Sequence, residues 1–114
     1  MNELWFWGLI AAFFFWKFIF GAKPDIDSGR ARELLSAGAR LIDVRSPAEF
    51  SGHRLPGAVN IPLGLLDTRL PELLKGGPVI FYCASGMRSA QAAKALRRAG
   101  RPEDVYNLGG IGRW

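Results

Sequence analysis

The chain of 114 residues holds one cysteine, one histidine and two methionines, and no Lys or Arg precedes its first apolar run. A single cysteine excludes an internal disulfide. One cysteine beside one histidine supplies too few soft donors for a structural zinc site, so no metal and no cofactor is expected. A lone free thiol suits a reducing compartment. Nothing in the chain could resolve that thiol once it is oxidised or loaded, so any acceptor comes from outside. Acidic residues are the minority, ten against fifteen Lys and Arg, for a formal charge of +5. The basic residues are scattered and accompany no nucleic-acid motif, so nucleic acid is not an expected partner. The excess charge suits solubility, attraction to an anionic membrane surface, or steering of an anionic substrate. Internal repeats and low-complexity tracts are lacking, and the length allows one domain and little else.

Apolar side chains, by contrast, are concentrated at the start. Residues 4–20 are apolar except for Lys17, and they are apolar all round, which argues against an interfacial amphipathic helix. As a helix they extend about 25 Å, slightly short of a hydrocarbon core of roughly 30 Å. Lys17 lies near the end, where it can snorkel, and Trp5, Trp7 and Trp16 suit the two interfaces. A cleaved signal peptide fits less well: no positive n-region precedes the run, and Phe20-Gly21-Ala22 is only a loose cleavage site. The expectation is one N-terminal transmembrane helix in an anchor over residues 1–22, a linker at residues 23–24 and a domain over residues 25–114. Lys17, Lys23, Arg30 and Arg32 at or beyond the end of the span place the N-terminus outside and the domain in the cytoplasm, as a single-pass protein of the cell membrane.

Beyond the linker, apolar runs alternate with helical patterns, which argues for an α/β fold with a parallel sheet covered on both faces. Strands are expected at residues 40–44, 58–61, 79–82 and 105–108, with residues 25–27 a brief first strand or lead-in. Asp27 or Ser28 suits the N-cap of a helix carrying Ala31, Leu34 and Leu35 on one face and stopped by Gly38. Residues 65–74 suit one or two short helices, with Pro71 in a first turn, and residues 89–99 a helix stopped by Gly100. Asp43 and Arg45 fall at a strand's carboxyl end. Their expected role is in the scaffold, Asp43 accepting loop N–H groups and Arg45 pairing with Glu49, the alternative being that Arg45 contributes field to the pocket.

The centre of the pattern is Pro78-Val79-Ile80-Phe81-Tyr82-Cys83-Ala84-Ser85-Gly86-Met87-Arg88-Ser89-Ala90. An unbroken apolar run fits a strand buried on both faces, and an alanine-rich helix follows it. Cys83 therefore sits where a strand ends and a helix begins, the edge at which open α/β sheets bind ligands. Loop N–H groups backed by a helix N-terminus form an anion site, which with Arg88 nearby lowers a cysteine pKa. The residues alone also fit a buried structural cysteine.

Four stretches carry a resemblance. Cys83-Ala84-Ser85-Gly86-Met87-Arg88-Ser89 resembles the active-site loop of rhodanese-type sulfurtransferases. Asp43-Val44-Arg45-Ser46-Pro47-Ala48-Glu49-Phe50, Leu55-Pro56-Gly57-Ala58-Val59-Asn60-Ile61-Pro62 and Asn107-Leu108-Gly109-Gly110-Ile111-Gly112-Arg113-Trp114 resemble further signatures of that family, in its order. The resemblance implies a three-layer rhodanese-like domain with a five-stranded parallel sheet. It implies a membrane-anchored sulfurtransferase that moves sulfane sulfur from a small anionic donor such as thiosulfate to a thiol, a protein or cyanide through a Cys83 persulfide. Cys83 would be catalytic, and Ala84, Ser85, Gly86, Met87 and Arg88 would bind substrate, with Arg88 possessing an alternative role in fixing the helix start. Ser89 reads as a helix-start side chain. Four residues separate Cys83 from Arg88, one fewer than in tyrosine-type phosphatases, and a smaller ring suits one sulfur better than a phosphate. Arg54 stands where the family usually has histidine, so His53 is assigned no chemistry. The alternative is a non-catalytic binding or persulfide-sensing module.

Overall fold

The computed structural model describes residues 3–20 and 23–114, with the side chains of residues 16–20 left out. The expected snorkelling of Lys17, the interfacial place of Trp16 and the anchor's last two residues, 21 and 22, lie outside what is described. The first element, α1 (Leu4–Phe20), is a helix of 17 residues. It overturns the expected transmembrane helix: at 1.5 Å per residue it falls several ångströms short of a bilayer core. Among the described residues no helix is long and apolar enough to cross a membrane.

The domain that follows is built on β1 (Arg40–Asp43), β2 (Val59–Asn60), β3 (Val79–Cys83) and β4 (Val105–Gly110). All pair in parallel in the order β2-β1-β3-β4. Among the described residues the sheet therefore has four strands, not the five expected. Residues 25–27 fail to form one because Asp25 makes a single backbone hydrogen bond to the Asn107 carbonyl, at 2.8 Å, and holds the Asn107 N–H by its side chain. Two residues on, Asp27 is already the N-cap of α2 (Ser28–Ser36), its carboxylate accepting from the Arg30 N–H. The chain has no length left for a ladder.

Every residue of β3 is buried, as its unbroken apolar run requires of a central strand. Successive side chains alternate between two cores. Val79, Phe81 and Cys83 pack with Leu66, Leu73, Ala92, Ala93 and Leu96 of α4 (Leu66–Leu73) and α5 (Met87–Ala99). Ile80 and Tyr82 face Ala31 and Leu34 of α2, together with Leu108. These are the three expected layers. Three details differ from expectation. Pro71 lies inside α4 rather than in a first turn, the turn before it being the 3₁₀ segment Leu63–Leu65. α5 begins two residues earlier than expected, which shortens the loop after Cys83 to Ala84, Ser85 and Gly86. A further helix, α3 (Pro47–Gly52), follows β1.

Asp43 and Arg45 brace the carboxyl edge of this sheet. Arg45 does not pair with Glu49 as expected. Its Nε reaches both oxygens of buried Asp43, at 3.1 and 3.0 Å, and its terminal nitrogen reaches Oδ2 at 2.7 Å and the His53 carbonyl. Two residues apart across the strand's end, Asp43 and Arg45 close a fork, while the Glu49 carboxylate is taken by Arg88 and the Ser46 N–H. Asp43 also takes the Arg45 N–H at 2.8 Å, the loop contact expected of it. Breaking a buried pair strands a charge. Arg45→Ala is therefore expected to lower the unfolding free energy by about 3–5 kcal/mol, measured by urea denaturation. A loss under about 1 kcal/mol, the range of exposed pairs, would contradict that role.

Candidate active site

The end of β3 and the start of α5 converge on one sulfur. Cys83 is the last residue of β3 and is fully buried, its inner side on the apolar core. The chain then turns within three residues because Gly86, at φ +98°, adopts a left-handed conformation that side chains disfavour. That turn aims the amides that open α5 back at the strand's end. The Gly86 N–H donates to Cys83 Sγ at 3.0 Å and the Ser89 N–H at 3.4 Å, with the Ser89 hydroxyl oxygen also 3.4 Å from the sulfur. Burial pushes the thiol's pKa up. The Ser89 hydroxyl and the amides of Ser89, Gly86 and Ser85 outweigh it, and the net direction is down. Ala84 and Ser85 are exposed, so their side of the ring is the one solvent reaches.

The structure thus brings together Cys83 and the backbone of Ser85 and Gly86. Ala84 completes the turn, and Met87 and Arg88 begin α5. The Arg88 guanidinium lies against Glu49, its two terminal nitrogens donating to the two carboxylate oxygens at 2.8 and 3.0 Å. That pairing raises the Arg88 pKa, with a smaller contribution from Cys83 itself, so the cation remains within electrostatic reach of the sulfur. His53 serves through its backbone carbonyl, which accepts from Arg45, while its own residue is exposed.

Two residues matter more than their sequence suggested. Ser89 was legible only as a helix-start side chain, yet both its polar groups point at Sγ. Glu49 is held by a capping box: the Ser46 hydroxyl accepts the Glu49 N–H, and Glu49 accepts the Ser46 N–H, both at 3.2 Å. The signal for that device, Ser-Pro-x-Glu, stands in the sequence at residues 46–49. The same carboxylate takes Arg88, so one side chain ties the start of α3 to the start of α5.

Residues 28–114 match the family model of the rhodanese-like domain. An uncharacterized protein, YqhL, of Bacillus subtilis is 48% identical over 77 residues, 67% of this chain and 60% of that protein. A sulfurtransferase of Allochromatium vinosum is 38% identical over 74 residues, 65% of this chain and 69% of its own length. Human thiosulfate:glutathione sulfurtransferase is 33% identical over 92 residues, covering 68% of this chain and 80% of that protein. Among solved structures, the human single-domain sulfurtransferase TSTD1 superposes with a TM-score of 0.67 at 30% identity, over 81% of this chain and 95% of that one.

Glu49 makes the site's acid response predictable. The Arg88 guanidinium, helped by the Ser46 N–H, holds the Glu49 carboxyl at about 2. A carboxyl depressed in the folded state stabilises fully above its unfolded value of about 4.3, and this is lost as pH falls towards the folded value. The stability advantage of the wild type over Glu49→Gln is therefore expected to be constant near neutrality and to shrink between about pH 4.3 and 2. Thermal midpoints of both proteins across that window check it; a gap independent of pH would refute it.

Proposed function

The chain belongs to the rhodanese-like family, and on that premise we propose that it is a sulfurtransferase that carries sulfane sulfur as a persulfide on Cys83. The observation that carries the reading is the pair of N–H donors from Gly86 and Ser89 on Cys83 Sγ. Such donors favour a sulfur anion, and the thiolate is the nucleophilic form.

With thiosulfate as donor, the Cys83 thiolate attacks the outer sulfur. A Cys83–sulfur bond forms, the donor's sulfur–sulfur bond breaks, and sulfite leaves with the bonding pair. The negative charge then rests on the terminal sulfur of the persulfide. In the second half an acceptor thiolate or cyanide attacks that terminal sulfur. Cys83 leaves as thiolate, and the product is an acceptor persulfide or thiocyanate. Each half moves one sulfur and leaves one negative charge beside the same amides, so the ring needs no rearrangement between halves. Ala84, Ser85, Gly86, Met87 and Arg88 are proposed to receive the donor. Arg88 supplies a fixed positive charge moderated by Glu49. Two half-reactions on a covalent intermediate imply ping-pong kinetics.

Cys83→Ser is expected to abolish both turnover with thiosulfate and cyanide and the gain of one sulfur atom in mass after incubation with thiosulfate. Transfer surviving in that variant would remove Cys83 as carrier. Stoichiometric loading of the wild type without turnover would instead favour a persulfide sensor.

Attachment to a lipid surface, with the domain on the reducing, cytoplasmic side, is a separate proposal that requires no crossing of the bilayer. Its support is the exposed apolar surface of α1, where Trp5, Trp7, Phe13, Phe14 and Phe15 are each more than half exposed. The full chain is expected to float with anionic phospholipid vesicles and the variant Phe13→Glu/Phe14→Glu to float less. Equal recovery of both in the unfloated fraction would dismiss lipid attachment.

A further inference from the structure

The ring around Cys83 is shaped from outside by a strand that contributes no side chain to it. β4 runs beside β3, with Gly110 paired opposite Cys83 after an irregularity in register between Phe81 and Tyr82. At this point the backbone of β4 lies directly against the loop that follows Cys83. A Cβ placed on Gly110 would stand 2.6 Å from the Ala84 carbonyl oxygen, 3.4 Å from its carbon and 3.5 Å from the Ser85 carbon. All three are backbone atoms, so no side chain can swing aside. A Cβ on Gly86, from the other side of the same seam, would meet the Gly109 Cα at 3.2 Å.

The conformations separate the roles of these glycines. Gly86 and Gly109 both have φ of +98°, so their backbone geometry alone favours glycine. Gly110 has φ −77° and ψ 152°, an extended conformation open to any residue. The three atoms nearest to such a Cβ all belong to the loop, so proximity to the loop keeps a side chain out of that position. Resting on the sulfur-carrier reading, we propose that Gly110 is a positioning residue: its bare backbone lets β4 press the Ala84–Ser85 peptide inward and so fixes the distances from the amides of Ser85 and Gly86 to Sγ. A methyl group there drives the loop away from β4 and loosens the donors, although Gly110 never touches the sulfur.

Gly110→Ala tests this in the full chain, with Gly112→Ala as control, because a Cβ on Gly112 meets nothing within 4 Å. The readout is the pH dependence of Cys83 alkylation by iodoacetamide, which reports the thiolate and requires no sulfur transfer. The Gly110 variant is expected to titrate nearer a free cysteine and to react about tenfold more slowly at neutral pH, while the control matches the wild type. A general loss of stability would lower the thermal midpoint and leave the alkylation midpoint in place. A folded Gly110→Ala with an unshifted midpoint overturns the proposal. Should that variant not fold, the native chain still decides: as Cys83 titrates, the Gly110 amide resonance is expected to move with the same midpoint as that of Gly86, and a Gly110 resonance that stays put overturns the proposal. Wild type that alkylates as expected but takes no sulfur from thiosulfate refutes the proposed function and leaves this inference standing.

Discussion

A sulfur anion at the end of a buried strand can persist only if hydrogen-bond donors reach it in place of water. Here those donors are backbone amides, brought round by one left-handed glycine and a helix that starts immediately after it. Much of the domain follows from that need. The strand must be central, so that its end is held from both sides; β3 is flanked by β1 and β4. The helix must begin within three residues, so the loop is short. The neighbouring strand must come close without filling the space, and glycines occupy its end. Desolvation opposes the charge, and the amides and Ser89 hydroxyl overcome it. The balance between those two effects is what makes this thiol differ from an ordinary core cysteine.

The fixed charges at this edge are arranged as pairs. Arg45 closes on Asp43 and Arg88 on Glu49. The first pair is buried and joins the end of β1 to the His53 carbonyl. The second is about a third exposed on each side and joins α3 to α5. Exposed pairs contribute little to stability by themselves, since water screens them and their side chains lose freedom. The importance of the second pair is geometric: Glu49 is already fixed by the Ser46 box, so Arg88 is fixed in turn beside the start of the helix that supplies the amides. A neutral pair also leaves the ring amides as the main source of positive potential at the sulfur.

The site was largely legible as sequence, because strand, loop and helix are contiguous there. Cys83, the glycine turn and Arg88 lie within six residues, and the apolar run of β3 declares a buried strand without any tertiary knowledge. Contacts between distant segments were less legible. Glu49 and Arg88 are 39 positions apart, and nothing local chooses between Arg45 and Arg88 as the partner of Glu49. The fifth strand failed for a related reason: residues 25–27 read as extended, but Asp27 is taken by the cap of α2 before a ladder can form. The helix at residues 4–20 was found where its apolarity put it, yet apolarity did not settle its length against a bilayer. Gly110 was visible only as part of a resemblance, since its extended backbone gives no local reason for glycine.

In the proposed reaction, amides that lower the thiol's pKa lessen the need for a general base. A thiol near its free pKa of about 8.5 is mostly protonated at neutral pH and must lose its proton before it attacks. A histidine or carboxylate beside the sulfur would serve, but among the described residues the hydrogen-bond partners of Sγ are Gly86 and Ser89. With amides lowering the pKa, more of the sulfur is thiolate than in a free cysteine, and in the proposed reaction the leaving group of each half departs as an anion that needs no proton. Because amides carry no ionisable proton, the same ring can hold thiolate and persulfide without changing its own charge. The neighbouring cation, Arg54, lies outside that ring, its guanidinium 4.8 Å over the Phe50 ring of α3.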